Sequence, residues 1–220
     1  MTERRMLKYT VWLAVLGASV LITQAGCLKA ITIVGYLVRG TNDEADFNGL
    51  KDKKVAVVCR PLVELKYGAG TVVNDLAERV GQLLRQKGKR IKVVRQSEVN
   101  SWTDENPDQE LGELGEGVKA DMVLGIDLEE FSLFQGQTLY QGKSQVKLTV
   151  WDVSKGDVIW SKPMRQIVWP VRGGRPAQDE PLQQFQREYI EVLATEIGNH
   201  FYPHDHFSRN TDFDPEYKGF

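Results

Sequence analysis

Residues Tyr9–Leu28 form a run of twenty residues without a single charge, directly behind a start that carries Arg4, Arg5 and Lys8. A stretch this apolar is costly as ordinary surface. It must be hidden in a bilayer or removed. Its centre, Val11–Ile22, has the length of the apolar segment of an export signal, and a basic start followed by such a segment is the layout of that signal. As a helix rising 1.5 Å per residue, the whole run is also long enough to cross roughly 30 Å of hydrocarbon. Positive residues favour the cytoplasmic side, so either use places the remainder of the chain on the far side of the membrane.

The run closes in Gln24-Ala25-Gly26-Cys27. Small residues just before a cysteine resemble the lipobox of bacterial lipoproteins. That resemblance implies cleavage before Cys27 and diacylglycerol on its thiol. The family usually has Leu where this chain has Gln24. A cleaved lipoprotein and an uncleaved anchor both stay open as the membrane partner. Arg4-Arg5 followed by Leu7 is also similar to a twin-arginine export signal.

Loss of residues 1–26 takes away three positive charges and Glu3, moving the formal charge from −2 to −4. Nothing in that balance suits nucleic acid, and none is expected as a partner. Of the two cysteines, Cys59 would remain alone once Cys27 is lipidated. It closes the run Val55–Cys59, where a lone cysteine acts as a small core hydrophobe.

The pattern divides the chain into an export signal at 1–26, a lipid anchor and polar tether at 27–54, a domain at 55–202 and a polar tail at 203–220. Val55–Cys59, rich in β-branched valine, reads as a buried strand. Over Thr71–Gln86, Val72, Val73, Leu76, Val80, Leu83 and Leu84 recur at helical spacing, with Thr71 as N-cap and Gly88 as stop. Ile91–Val94 reads as a second strand. Ser101–Gly117 is acidic and reads as a helix start near Pro107, where carboxylates favour the dipole. Asp121–Phe134 and Gln145–Asp152 alternate as half-buried strands, and Ser154-Lys155-Gly156 turns the second into a hairpin partner at Asp157–Ser161. Leu182, Phe185, Tyr189, Leu193 and Ile197 stripe a long helix over Pro181–Phe201. This order predicts the α/β class: a mixed sheet with interleaved helices, a β-hairpin and a long C-terminal helix.

Two runs carry a resemblance. Gly117-Val118-Lys119-Ala120-Asp121-Met122-Val123-Leu124 is similar to the start of a central strand, and Leu148–Ser161, with Asp152, Gly156 and Trp160, is similar to a hairpin, of small envelope lipoprotein domains. That group includes the curli-secretion channel lipoprotein, the outer-membrane activator of peptidoglycan synthases and the amino-terminal domain of the Tol-system propeller protein. It implies an α/β binding domain without catalysis, and no cofactor is expected.

Candidate sites are few. Tyr67–Thr71 enters a helix through two glycines but lacks the lysine of a phosphate loop. His200, His204 and His206 lie beside Asp205, yet Pro203 breaks the helix that would align them, so they read as a solvated tail and no metal is expected. Asp127 and Glu129 share a strand face and read as a solvated edge. In the connector Trp169–Pro176, the residue types enriched at binding hot spots mark Trp169, Arg172 and Arg175 as partner-binding candidates. No catalytic motif emerges. The expectation is a membrane-anchored exported lipoprotein in the cell envelope, facing away from the cytoplasm. It is not an enzyme but a binding module for an envelope protein or polymer. The rival is an oligomeric subunit of a secretion or transport assembly.

Overall fold

A computed structural model describes residues 42–62, 69–107 and 110–205. The leader, Cys27 and the rest of the segment up to residue 41, Tyr67 and Gly68 of the glycine turn, His206 and the tail beyond it lie outside these residues. The compact unit runs from Asp43, upstream of the boundary read at Val55. Ala45 and Leu50 are buried, and the Phe47 ring sits 5.5 Å from that of Trp160.

In chain order the elements of the main sheet and the helices packed on it are β1 (Lys54–Pro61), α1 (Ala69–Lys87), β2 (Lys92–Val93), α2 (Gln96–Glu105), α3 (Leu111–Gly117), β3 (Met122–Gln135), β4 (Leu139–Asp152), β5 (Asp157–Pro163), β6 (Ile167–Trp169), β7 (Arg175–Pro176) and α4 (Leu182–Gly198). They build the mixed sheet expected from the sequence. Its order is β2-β1-β3-β4-β5, with β6 and β7 both pairing the first half of the long β4. The pairings of β1 with β2 and with β3 are parallel; the others are antiparallel.

Strand periodicity sorts the side chains onto two faces. Val55, Val57, Cys59, Leu124, Ile126, Leu128, Leu148 and Val150 pack under α1 and α4, and this is the main core. Ala56, Val58 and Val123 face the other way, under Val99 of α2 and Leu111 and Leu114 of α3. Glycine permits the close approach on that second face, since a Cβ on Gly125 would lie 2.9 Å from Leu111 Cδ1.

At the hairpin, the Asp152 carboxylate accepts from the Ser154 hydroxyl (2.6 Å) and the Ser154 and Lys155 amides, while Gly156 takes φ +66°. The Ser154 hydroxyl is the strongest of the donors that hold the Asp152 carboxyl below its ordinary range, against a smaller opposing push from burial.

Thr71, read as an N-cap, lies inside α1, which starts at Ala69, and three further expectations need correction. The acidic segment holds two helices, not one starting near Pro107. Asp104 and Glu105 end α2, where the dipole disfavours them, and only Glu113 stands in the first turn of α3, accepting from the Glu110 amide at 3.2 Å. Asp127 is not on a solvated edge: it is buried on the inner strand β3, and a β-bulge at Glu129 separates the two acids. His200 and His204 are buried rather than solvated. His200 Nδ1 lies 2.5 Å from Asp46 Oδ2, and that oxygen also accepts from Lys162 Nζ at 2.6 Å.

Candidate functional site

The chain leaves β1 through α1 to β2 on one side of it, and leaves β2 through α2 and α3 to β3 on the other side. The helices therefore diverge to opposite faces at the carboxyl end of β1. A crevice at such a reversal is the usual ligand position in open α/β sheets. Here it has a volume of about 470 Å³. Four segments wall it: Val58–Leu62 leaving β1, Val73, Asn74 and Ala77 of α1, Gln96–Asn106 on and after α2, and Glu110, Leu111 and Leu114 of α3.

Val58, Val73, Ala77, Leu111 and Leu114 make the apolar part. Asn74, Gln96, Asn100, Thr103 and Asn106 supply neutral hydrogen-bonding groups. Some are engaged internally. Gln96 Nε2 donates to Asn100 Oδ1 (2.9 Å), Asn106 Nδ2 donates to the Trp102 carbonyl (2.9 Å), and Thr103 Oγ1 donates to the Asn100 carbonyl (3.0 Å). Among the described residues, the Gln96 carbonyl and the Asn100 amide hydrogens have no further partner.

Among the described residues, the one cation of the lining is already committed. Arg60 Nε and Nη2 both donate to Asp127 Oδ1, at 2.9 and 2.6 Å. The lining carboxylates, Asp104 and Glu110, are exposed. Asp104 stands at the negative end of the α2 dipole, whose last turn has no basic residue to offset it. Cys59 also lines the crevice. Burial first, then the negative charge of Asp127, pushes its thiol up to about 12 against a smaller lowering by Arg60, so it is a neutral thiol and not a nucleophile at physiological pH.

The connector candidates sit elsewhere. Trp169 is 3% exposed, stacked on Phe185 with ring centroids 5.4 Å apart. Arg175 lies 4.3 Å over the Trp169 ring and pairs with Glu188 (2.7 Å) and Glu180 (3.3 Å). Burial pulls the Arg175 pKa down, but these two carboxylates outweigh it and leave it raised. Both residues thus fix the connector onto α4. Arg172 is exposed, next to the exposed Val171. Among the described residues no group of three metal-ligating side chains forms, and no helix is long and apolar enough to cross a membrane.

No motif in the sequence singles out the crevice. Its amides are dispersed over the chain and only the topology gathers them. Gln96, Asn100 and Thr103, at helical i, i+4, i+7 spacing, are the signal that could have pointed to it.

No family profile matches the chain, and no curated protein matches it. Solved structures do. It is similar to the PelC dodecamer from Paraburkholderia phytofirmans, at 16% identity over 73% of this chain and 94% of that one, with TM-score 0.40. It is similar to lipoprotein GNA1162 from Neisseria meningitidis, at 14% identity over 66% and 98%, with TM-score 0.42. It is also similar to TolB from Acinetobacter baumannii, at 13% identity over 71% of this chain and 27% of that one, with TM-score 0.31. Lipoproteins and TolB are the group that residues 117–124 and 148–161 resemble. The likeness is one of fold.

Proposed function

We propose that this chain is an exported lipoprotein, anchored through Cys27 and facing away from the cytoplasm, whose domain is a non-catalytic module that docks another component of the cell envelope. The crevice at the carboxyl end of β1 carries the reading. It is walled by amides, apolar side chains and exposed carboxylates, and its cation and its thiol are both withdrawn from chemistry. Such a lining suits recognition and has no nucleophile paired with a base. Arg172, exposed beside Val171, offers a second contact, which Trp169 and Arg175 position from below.

Two measurements on intact cells test this. Mass spectrometry of the native protein is expected to find diacylglycerol on Cys27. A membrane-bound protein with Met1 intact would instead give the uncleaved anchor, and protein free of membrane would overturn the reading. A photoreactive residue in place of Asn74 is expected to crosslink to an envelope component, and crosslinks only to cytoplasmic material would refute it.

A further inference from the structure

We infer that the crevice takes an extended, non-acidic peptide segment of a partner protein, which adds as a strand along the open edge of β1 at Cys59 and Pro61. The inference rests on the binding-module reading above and specifies what is bound.

In a parallel ladder, successive residues of a strand turn their backbone groups to opposite neighbours. The Asp121 amide donates to the Lys54 carbonyl and the Leu62 amide donates to the Leu128 carbonyl, so the even-numbered residues of β1 are turned toward β3. The Lys92 amide donates to Lys53 O and the Val94 amide to Val55 O, so the odd-numbered ones are turned toward β2. But β2 ends at Val93 and the chain departs into α2. Beyond it the odd series continues as Val57, Cys59 and Pro61 with no strand alongside among the described residues. Val57 is 0% exposed. Cys59 and Pro61 line the crevice. The open edge therefore offers the Cys59 N–H and C=O and the Pro61 C=O. Pro61 fits this assignment, because proline is tolerated in a sheet where its missing N–H would have faced an unpaired side.

Side chains beside the edge suit the same occupant. Leftover donors and acceptors of Asn100 and Gln96 match the outer backbone groups of an added strand, and the apolar floor receives alternate side chains. Charge selects among peptides. Arg60 is neutralised by Asp127 and Glu110 is the N-cap of α3, so it offsets the positive end of that helix, while Asp104 and the carboxyl end of α2 leave the α2 wall negative. The helix α1 enters with its second and third turns, past the reach of the positive end of its dipole. Basic segments are favoured and acidic ones repelled. A glycan would satisfy the amides but leave the strand edge without in-register partners.

The test equilibrates the full-length protein in detergent with a random library of short capped peptides, and the retained peptides are sequenced. The pool is expected to be rich in Lys, Arg and β-branched residues and poor in Asp and Glu. The best peptide is expected to lose about tenfold in affinity, or 1.4 kcal/mol, when alternate backbone nitrogens are methylated in one register and little in the other. Asn100→Trp, which fills the crevice, is expected to cost about tenfold as well, with Lys155→Gln at the distant hairpin as control. The exposed Asn74→Trp gives the same readout should Asn100→Trp not fold. Asp104→Lys is expected to shift the pool toward acidic peptides. Retention no greater than on blank resin, indifference to methylation in both registers, or indifference to both tryptophans overturns the inference. If the Asn74 crosslink yields a glycan, strand addition fails while the binding-module reading stands. If it yields only cytoplasmic material, both fail.

Discussion

The Arg60–Asp127 pair should respond asymmetrically to loss of either partner. Asp127 sits on the inner strand β3 with 9% of its side chain exposed, whereas the Arg60 side chain is 40% exposed. Asp127→Asn leaves a guanidinium that can turn into the open crevice and be hydrated. The loss is then that of a largely surface ion pair with its hydrogen bonds, about 1 kcal/mol. Arg60→Ala leaves a carboxylate without its two N–H donors, most of it out of water. Stranding a buried charge in this way costs about 3–5 kcal/mol. The upper end does not apply, because Lys147 is the cross-strand partner of Asp127 in the β3–β4 ladder and can approach it. Water entering through the crevice screens it further. The expected loss is about 2–3 kcal/mol, so the two substitutions differ by about 1–2 kcal/mol although they remove the same bond. Urea denaturation of both variants and of the double variant Arg60→Met with Asp127→Leu makes the comparison. The double variant, which removes both charges, is expected to be more stable than Arg60→Ala. Equal costs for the two single substitutions, or a smaller cost for Arg60→Ala, would refute the assignment of Asp127 as the buried and dependent partner.

The main core and the upstream segment allow further tests. A Cβ at Gly142 would lie 2.3–2.5 Å from ring atoms of Tyr189. That ring is buried, and its hydroxyl donates to Ile167 O (2.9 Å) and shares a hydrogen bond with Ser144 Oγ (2.8 Å). Gly142→Ala is therefore expected to cost about 3 kcal/mol from overpacking and a lost hydrogen bond, lowering the melting temperature by about 6–12 °C. Gly136→Ala, with φ +69° and nothing within 4 Å, is expected to cost only about 1–2 kcal/mol in the same melts. For Asp46, partial burial raises the carboxyl, but hydrogen bonds from Lys162 and His200 outweigh it and leave the pKa below its ordinary 3.8. A lowered carboxyl contributes stability above its unfolded value and loses it as pH falls through the folded one. Asp46→Asn is thus expected to cost about 1 kcal/mol at pH 7 and almost nothing once the pH is well below about 3, as read by urea melts at both. An equal deficit at both pH values would mean that the charge of Asp46 contributes nothing.

Where one element buries one regular stripe, the fold is legible in the sequence. Val55–Cys59 is a valine-rich run, Val72–Leu84 and Leu182–Ile197 keep a helical stripe, and Asp152 with Gly156 forms the hairpin turn within a few residues. Legibility fails where burial is thin or irregular. The helix α2 has Val99 as its one buried residue, so no periodicity announces it. In the first half of β4 the apolar alternation lapses, because Gly142 is small to admit Tyr189 and Ser144 is buried to meet its hydroxyl. Trp169 and Arg175 have the composition of a hot spot, yet a tryptophan beside Phe185 and an arginine between two carboxylates find internal partners first. Composition alone does not separate these outcomes, since the same side chains serve equally well in a loop's own packing.

The crevice and the strand edge within it have a single origin. Because β2 stops after two residues, it pairs only with the start of β1, and the chain turns at Arg95 into a helix that crosses to the opposite face from α1. A longer β2 would have closed the edge at Cys59 and moved α2 away from the carboxyl end of β1, removing the wall that carries Gln96, Asn100 and Asn106. Shortness of one strand thus opens the backbone edge and places the amides beside it in the same step. Elsewhere the sheet protects its border. The outer strand β5 ends in Lys162 and Pro163 and meets a bulge in its pairing with β4, which are common devices against unwanted strand addition. A fold that blunts one edge and leaves another open inside a crevice confines pairing to a partner narrow enough to enter, and a single extended segment meets that condition where a second sheet does not.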